Sequence, residues 1–294
     1  MSESRARLEA KVPEGRLMLL AVEVGNTNTT FGLFAAVGEL TTAYRLSTER
    51  ERMPDEWFAM LAALLASDGH ELAEVDGVII SSVVPSVTTW LVEMSHNRLR
   101  IDPVIVSGDL DVGLDLDVDE PRQLGADRIV DCVAAFDRYG GPAIIVDLGT
   151  ATTFDVIGPD GAYKGGAIAA GVATSLKALA GNAAQLFNVE LHMPESVIGR
   201  NTADQLRSGI VAGHLAMLEG MIGRTRAELE TDAQVIVTGG LAPLFANRSS
   251  LFDHFDPDLT LHGLRLIYDR VRTVSNSTGA KSQAEQRRVG AATP

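Results

Sequence analysis

Short apolar runs alternate along the chain with segments in which apolar residues recur at helical spacing. In the first half, such runs predict five strands, at residues 17–24, 29–34, 41–46, 75–84 and 103–106. The helical spacing predicts a helix over residues 53–65, and a second helix is expected between the last two strands. The predicted order is therefore β-β-β-α-β-α-β, which is typical of an α/β unit.

The second half of the chain has a similar series of predicted elements. Helices are predicted at residues 125–139, 172–185 and 202–230, and strands at residues 143–147, 152–157, 162–164 and 234–238. In each half, an apolar strand is followed at once by a hairpin partner, and the two hairpins resemble each other. This self-similarity indicates an internal repeat.

Length and terminal composition set the expected domain boundaries. A chain of 294 residues suggests two domains, since roughly 150 residues make one domain. We expect these domains at residues 18–135 and 136–274. Residues 1–17 and 275–294 are polar and lack an apolar period, so we expect a flexible N-terminal extension and a flexible tail.

The charge balance narrows the classes of partner. Asp and Glu number 39 against 25 Lys and Arg, and the net charge of −14 makes nucleic acid an unfavourable partner. The apolar run at residues 17–22 is too short for a membrane helix, which needs about 20 residues. The single cysteine, Cys132, excludes an internal disulfide and a multi-cysteine zinc site. We therefore expect a cytoplasmic protein that binds neither nucleic acid nor membrane.

Two hairpin turns contain the candidate chemistry. The segment from Glu23 to Thr29 (EVGNTNT) aligns without gaps with the segment from Asp147 to Thr153 (DLGTATT). Each has a carboxylate at the end of an apolar strand, then a glycine, then hydroxyl or amide side chains. Glycine allows a sharp turn, amides and hydroxyls can face phosphate oxygens, and the carboxylate can orient a cation.

Either segment alone is typical of an ordinary hairpin with threonine-rich strands, but two at matching positions favour phosphate binding. The predicted strand that ends at Thr238-Gly239-Gly240 supports this hypothesis, although a double glycine by itself usually marks only a turn. The chain has no GxxxxGK(S/T) motif and no strand-linked GxGxxG motif, so neither a P-loop nor a Rossmann site is indicated.

With these motifs in this order, the chain resembles the type III pantothenate kinases, which are members of the actin and sugar-kinase ATPase superfamily. The resemblance extends from about residue 18 to residue 270. The matching segments are residues 23–29, 81–87 (SSVVPSV), 125–128 (GADR), 147–155, 165–168 (GGAI), 197–202 (VIGRNT), 238–241 (TGGL) and 258–264. It implies an α/β fold of two ribonuclease-H-like (actin-like ATPase) domains, each with a mixed five-stranded sheet.

The resemblance also implies an activity and its cofactors. The expected reaction is ATP-dependent phosphorylation of pantothenate to 4′-phosphopantothenate, the first step of coenzyme A biosynthesis. The expected cofactors are ATP, Mg²⁺ and a monovalent cation, K⁺ or NH₄⁺, and the expected assembly is a homodimer.

The same resemblance implies roles for individual residues. Asp127 matches the general base, Arg128 the group that binds the carboxylate of pantothenate, and Asp147 the ligand of the monovalent cation. Glu23 lies where the family has an aspartate near Mg²⁺. The expected ATP- and phosphate-binding residues are Glu23, Val24, Gly25, Asn26, Thr27, Asn28, Thr29, Thr30, Thr150, Gly239 and Gly240. The expected substrate-binding residues are Gly125, Ala126, Asp127, Arg128 and Thr202.

Three positions depart from the family pattern. Glu23 replaces an aspartate, Val118 replaces an aromatic residue of the substrate pocket, and Ala170 replaces a proline. Two alternatives therefore stay open: a kinase for another small alcohol, and a nucleotide-binding regulatory homologue with little turnover. Without the family match, Asp127 and Arg128 would be interpreted as an ordinary acid at a helix start beside a surface arginine.

Overall fold

The computed structural model describes residues 18–36, 38–182 and 187–290, with residues 275–290 described as backbone only. The chain divides into two compact units, the first ending at Ile105 and the second beginning at Val106. The division falls before the helix at residues 126–139, whereas the sequence-based boundary at residue 135 lies inside that helix. The helix belongs to the second unit because it packs on a strand and a helix of that unit.

The first unit contains one mixed sheet with both long helices on one face. Its elements are β1 (Met18–Val24), β2 (Asn28–Ala35), β3 (Leu40–Ser47), α1 (Pro54–Ser67), β4 (Val75–Ser82), α2 (Pro85–Met94) and β5 (Val104–Ile105). The strand order is β3-β2-β1-β4-β5; β2 is antiparallel to β1 and β3, and β4 is parallel to β1 and β5. Trp57 and Leu61 of α1, and Leu91 of α2, pack with Leu20 and Val22 of β1 in one buried cluster.

The second unit repeats this sheet and adds helices on both faces. Its elements are α3 (Ala126–Tyr139), β6 (Ala143–Leu148), β7 (Ala151–Ile157), β8 (Tyr163–Ala170), α4 (Val172–Asn182), α5 (Thr202–Arg207), α6 (Gly213–Leu229), β9 (Gln234–Thr238), β10 (His254–Phe255) and α7 (Leu259–Gly290). The strand order is β10-β9-β6-β7-β8. Ile144 and Val146 face Leu218 of α6, whereas Ile145 on the opposite face packs with Ala135 of α3.

The two sheets confirm the predicted fold class, and they extend the predicted elements at several points. The predicted helix over residues 202–230 is divided into α5 and α6 by a π-helical turn at Ser208–Ala212. The strand predicted at residues 162–164 continues to Ala170 as β8. β10 and α7 were not predicted, and the backbone of α7 continues to Gly290, through most of the segment expected to be a tail. The expected extension at residues 1–17 lies outside the described residues.

Candidate functional site

The first candidate phosphate turn, residues 25–27, is called loop 1 and connects β1 to β2. Glu23 lies at the end of β1, opposite Thr30 of β2 and Ser81 of β4. The backbone N–H of Gly25 donates to the carbonyl oxygen of Asn28 (2.9 Å) and closes the turn. Val24, Thr29 and Thr30 are buried, whereas Asn26, Thr27 and Asn28 are exposed. Of the phosphate-binding residues predicted at this hairpin, the fully exposed ones are therefore the three polar residues at the tip of the turn.

Thr48, which directly follows β3, fixes loop 1. Its hydroxyl donates to the carbonyl oxygen of Gly25 (2.8 Å), and its backbone N–H donates to that of Thr27 (2.9 Å). The hydroxyl of buried Thr29 lies 2.9 Å from the same hydroxyl. Sequence reasoning missed Thr48, because its contacts join residues 23 and 19 positions apart.

The second turn, residues 149 and 150, is called loop 2 and connects β6 to β7. Asp147 lies at the end of β6, opposite Thr153 of β7 and Thr238 of β9. The carbonyl oxygen of exposed Thr150 accepts from the N–H of Gly171 (3.2 Å) and from the hydroxyl of Thr174 (2.6 Å). Loop 2 is thus fixed from the segment that follows β8, as loop 1 is fixed from the residue that follows β3.

The register of the two hairpins corrects the gapless alignment of their sequences. Val24 pairs with Thr29, which leaves residues 25–28 between them, whereas Leu148 pairs with Thr152, which leaves residues 149–151. Because the first hairpin has one more residue in its turn, Thr30 and not Thr29 is equivalent to Thr153. The alignment holds as far as the glycine and shifts by one residue afterwards.

The double glycine lies against the end of β6. Gly239 has a φ of +95°, and a Cβ atom there would lie 2.2 Å from Oδ1 of Asp147. The N–H of Leu241 donates to the carbonyl oxygen of Leu148 (2.9 Å). Only glycine allows this left-handed turn so close to the carboxylate. The structure therefore brings together Asp147, loop 2 and the exposed Gly240 within the second unit.

Helix α3 begins at the predicted substrate motif. Gly125 is its N-cap, Asp127 lies in its first turn, and Oδ1 of Asp127 accepts the N–H of Arg128 (2.9 Å). A Cβ atom at Gly125 would lie 2.5 Å from that oxygen, so the glycine leaves space for the carboxylate. Burial raises the pKa of Asp127, although the N–H of Arg128 and its charge act in the opposite direction. A carboxylate with a raised pKa is a stronger base than an exposed one.

Arg128, the second residue of this motif, is bound to a buried carboxylate. Its Nε and Nη2 atoms lie 2.8 Å and 2.7 Å from Oδ1 of Asp155 in β7. The hydroxyl of Tyr163 donates to the same oxygen (3.0 Å), and Thr153 donates to Oδ2 (3.1 Å). Asp155 had no assigned role, although it ends one of the motif segments. Its position in that segment was the only signal in the sequence.

The other predicted residues lie in two further places of the second unit. Val118 follows a segment that pairs with Tyr163, and its Cγ1 would be 3.9 Å from a Cβ atom at Gly165. Thr202 begins α5, where the side chain of Asn201 accepts the N–H of Asp204 (2.9 Å). It lines a cavity of about 350 Å³ together with Leu179, Gln205, Leu206, Gly209 and Ile210.

The described part of the chain has no group of three or more His, Cys, Asp or Glu side chains arranged to hold a metal ion. Such a cluster is not required for nucleotide-bound Mg²⁺, which takes one or two carboxylates from the protein and the rest of its ligands from phosphates and water. Glu23 and Asp147, the two carboxylates expected near the cations, each lie at a strand end beside a polar turn. No helix among the described residues is both long and apolar enough to cross a membrane.

Comparison with known proteins gives relatives over most of the chain. A family model described as type III pantothenate kinase matches residues 19–224. The type III pantothenate kinase of Thermomicrobium roseum is 49% identical over 254 residues, which cover 86% of this chain and 98% of the relative. That of Moorella thermoacetica is 44% identical over 253 residues, which cover 86% and 99%.

Solved structures with little sequence identity have the same fold. Component A of (R)-2-hydroxyglutaryl-CoA dehydratase from Acidaminococcus fermentans is 11% identical, with a TM-score of 0.53, over 86% of this chain and 97% of that one. An ethanolamine utilization protein of Carboxydothermus hydrogenoformans is 14% identical, with a TM-score of 0.51, over 87% and 90%. These likenesses confirm the predicted actin-like ATPase fold.

Proposed function

The chain belongs to the type III pantothenate kinase family, and on that premise we propose how it transfers the γ-phosphoryl group of ATP to pantothenate. The products are 4′-phosphopantothenate and ADP, and the reaction is the first step of coenzyme A biosynthesis. The observation that supports this mechanism most strongly is the start of α3, where a carboxylate with a raised pKa stands beside a fixed guanidinium. These two groups suit a substrate that has a hydroxyl at one end and a carboxylate at the other.

The two loops are the proposed phosphate-binding elements. Residues 23–30 surround loop 1, where Asn26, Thr27 and Asn28 are exposed, and Gly239 and Gly240 lie beside loop 2, where Thr150 is exposed. The exposed side chains offer hydroxyls and amides to a phosphate. Such groups bind anionic oxygens through hydrogen bonds and need no positive charge. A chain with a net negative charge can therefore use them to bind a nucleotide. Their rigidity suits phosphoryl transfer, because that reaction depends mostly on positioning.

Asp127 is the proposed general base. Its carboxylate accepts the proton of the primary hydroxyl of pantothenate while the hydroxyl oxygen forms its bond to the γ-phosphorus of ATP. The bond from that phosphorus to the bridging oxygen of ADP breaks in the same transfer, and ADP leaves with the electron pair. Gly125 and Ala126 lie beside this base at the start of α3, and Arg128 binds the carboxylate of the substrate.

The proposal also assigns residues to two cations, Mg²⁺ and a monovalent cation. Glu23 is the residue that would help to hold Mg²⁺, and Asp147 the one that would hold K⁺ or NH₄⁺. Bound Mg²⁺ would neutralise charge on the phosphates of ATP. Chelation of divalent cations is expected to abolish turnover, and replacement of K⁺ by Na⁺ is expected to lower it. We also propose that the enzyme works in the cytoplasm, where ATP is available.

A homodimer is the proposed assembly. Val197, Ile198 and Leu179 are 74%, 82% and 42% exposed. Leu179 lines the same cavity as Thr202, and the carbonyl oxygen of Val197 accepts the hydroxyl of Ser208, the residue before Gly209 of that cavity. Apolar side chains exposed to this degree suit contact with a second copy of the chain. Light scattering should give twice the mass of the chain, and Ile198→Asp should lower the mass toward that of a single chain.

Product analysis tests the activity. The purified chain is incubated with ATP, Mg²⁺ and K⁺ together with pantothenate or one of a panel of small alcohols, and products are identified by mass. The proposal expects pantothenate to gain one phosphoryl group faster than any other acceptor. A preference for another alcohol would instead support the alternative that Val118 suggests. Nucleotide binding without any phosphorylated product would support the regulatory alternative.

A further inference from the structure

Among the residues whose burial the structure describes, the carboxylate of Asp155 is the most enclosed charged group for which the mechanism above names no task. Only 1% of its side chain is exposed, although it lies on a strand near the sheet edge. One oxygen accepts from two nitrogens of Arg128 and from the hydroxyl of Tyr163, and the other accepts from Thr153. A buried carboxylate with this many donors is held in a single orientation.

The surroundings of Arg128 confine its guanidinium as well. Asp155 pairs across the sheet with Gly166 of β8, and a Cβ atom at Gly166 would lie 3.0 Å from Nη2 of Arg128. The same atom would lie 1.7 Å from the carbonyl oxygen of Phe154, so this position accepts only glycine. The guanidinium therefore lies between α3 and the edge strand, with two of its three nitrogens bound to Asp155.

We propose that Asp155 is a positioning residue that fixes Arg128 for recognition of the substrate's carboxylate. This inference rests on the proposed function, in which Arg128 binds that carboxylate. The third nitrogen, Nη1, lies outside the pair with Asp155 and would be the donor to the substrate's carboxylate. An arginine that is already immobilised loses less conformational entropy when a ligand binds, and therefore binds more tightly.

A second arginine of the same helix provides the matched control. Arg138, also in α3, is bound to Asp256, which is 5% exposed and also accepts the hydroxyl of Tyr139 (3.0 Å). Both carboxylates are thus buried, and each accepts from one arginine and one tyrosine. Asp155→Asn and Asp256→Asn are therefore the same chemical change in matched settings, and only the first touches the proposed substrate group.

The experiment compares pantothenate with its neutral analogue, in which a hydroxymethyl group replaces the carboxylate. Asp155→Asn should lower kcat/KM for pantothenate by about 30-fold or more, mainly through KM, and should leave the KM for ATP within twofold of the wild-type value. It should leave kcat/KM for the neutral analogue nearly unchanged, so that the preference for the carboxylate is lost. Asp256→Asn should keep the wild-type preference even where it lowers Tm.

Two further variants keep the inference testable if Asp155→Asn does not fold, and show whether its effect depends on Arg128. Tyr163→Phe removes one donor to Asp155 and should raise the KM for pantothenate about threefold without affecting the neutral analogue, which covers the case in which Asp155→Asn does not fold. In an Arg128→Gln background, Asp155→Asn should have no further effect on the KM for pantothenate. An Asp155→Asn enzyme that folds and still prefers pantothenate to the neutral analogue would overturn this inference but not the proposed function. A wild-type chain that does not phosphorylate pantothenate overturns the proposed function as well.

Discussion

The two sheets of this chain have the same strand order and differ in the polar groups they bury. Gly32 of β2 and Asp155 of β7 are equivalent, since they pair with Ala21 and Ile145, each two residues before a strand-end carboxylate. Where the first sheet has a glycine without a side chain, the second has the carboxylate that binds Arg128. The repeated part is the turn that suits phosphate, and the part found only in the second unit suits the acceptor substrate. Under the proposed function, the duplicated frame would provide a phosphate-binding turn twice and the acceptor site once.

Removal of the proposed base should have the largest effect, and it tests whether the acceptor chemistry belongs to the second unit. Asp127→Asn should lower kcat by about 10³-fold, because a positioned general base typically contributes 10²- to 10⁴-fold. The affinity for ATP should change by less than twofold, since the loops are intact. Steady-state kinetics and nucleotide titration measure the two quantities.

Asp137→Asn is the matched control for that change. Asp137 lies on the same helix, near its other end, where it contacts His262 at 3.1 Å. It should retain nearly full kcat. Equal losses in the two variants would show that α3 is merely destabilised, and would contradict the role of Asp127.

The double glycine gives the next largest effect. In Gly239→Ala, the new Cβ would lie 2.2 Å from Oδ1 of Asp147 at a φ of +95°, so the turn beside loop 2 must move. We expect the KM for ATP to rise about tenfold, with a loss of about 1–3 kcal/mol in the free energy of unfolding. Gly220→Ala in α6, where a Cβ meets open space, should instead stabilise the fold by about 0.5–1 kcal/mol. Kinetics and denaturant unfolding would detect the difference.

Smaller changes test whether the two loops act alike. Thr48→Val and Thr174→Val each remove a hydroxyl that binds a loop carbonyl, at 2.8 Å and 2.6 Å. Each should raise the KM for ATP about two- to fivefold, because one hydrogen bond contributes about 1 kcal/mol. The KM for pantothenate should not change. Thr42→Val, which removes a hydroxyl bound to Asp68 elsewhere on β3, should leave both constants unchanged; a rise in only one of the two loop variants would break the symmetry.

The smallest effect concerns the pH dependence of stability. Burial raises the pKa of Asp127, so between the unfolded and folded pKa values the native state binds more protons than the unfolded state. The group's contribution to stability is therefore present below the unfolded pKa and is lost as the pH rises through the folded pKa. Asp127→Asn should raise Tm at pH 7, and this gain should shrink as the pH falls toward the unfolded pKa of about 3.9. A gain of equal size at pH 4 and at pH 7 would contradict a raised pKa.

The sequence predicted the strands and both loops because their signals are local. Short apolar runs and the polar turns that follow them lie within a few positions of one another, and they indicate β1, β2, β6 and β7 directly. The one-residue shift between the hairpins escaped prediction, since both turns consist of small polar residues and the extra one has no distinct signature. It became evident only from the pairing of Glu23 with Thr30 and of Asp147 with Thr153.

The supporting residues could not be predicted in the same way. Thr48 and Thr174 reach loop carbonyls 23 and 24 positions away, and Asp155 reaches Arg128 across 27 positions. No periodicity in the sequence encodes such contacts, because they depend on which strands become neighbours in the sheet. The motif that contains Asp127 and Arg128 was visible in the sequence. The carboxylate that binds Arg128 could be identified only from the structure.

The most direct test of the account is ADP release by the purified chain in the presence of ATP, Mg²⁺ and K⁺, measured with and without pantothenate. The account predicts that ADP release requires pantothenate and that one 4′-phosphopantothenate forms for each ADP. ADP release of equal rate without pantothenate would contradict it, as would a protein that binds ATP and releases no ADP when pantothenate is added.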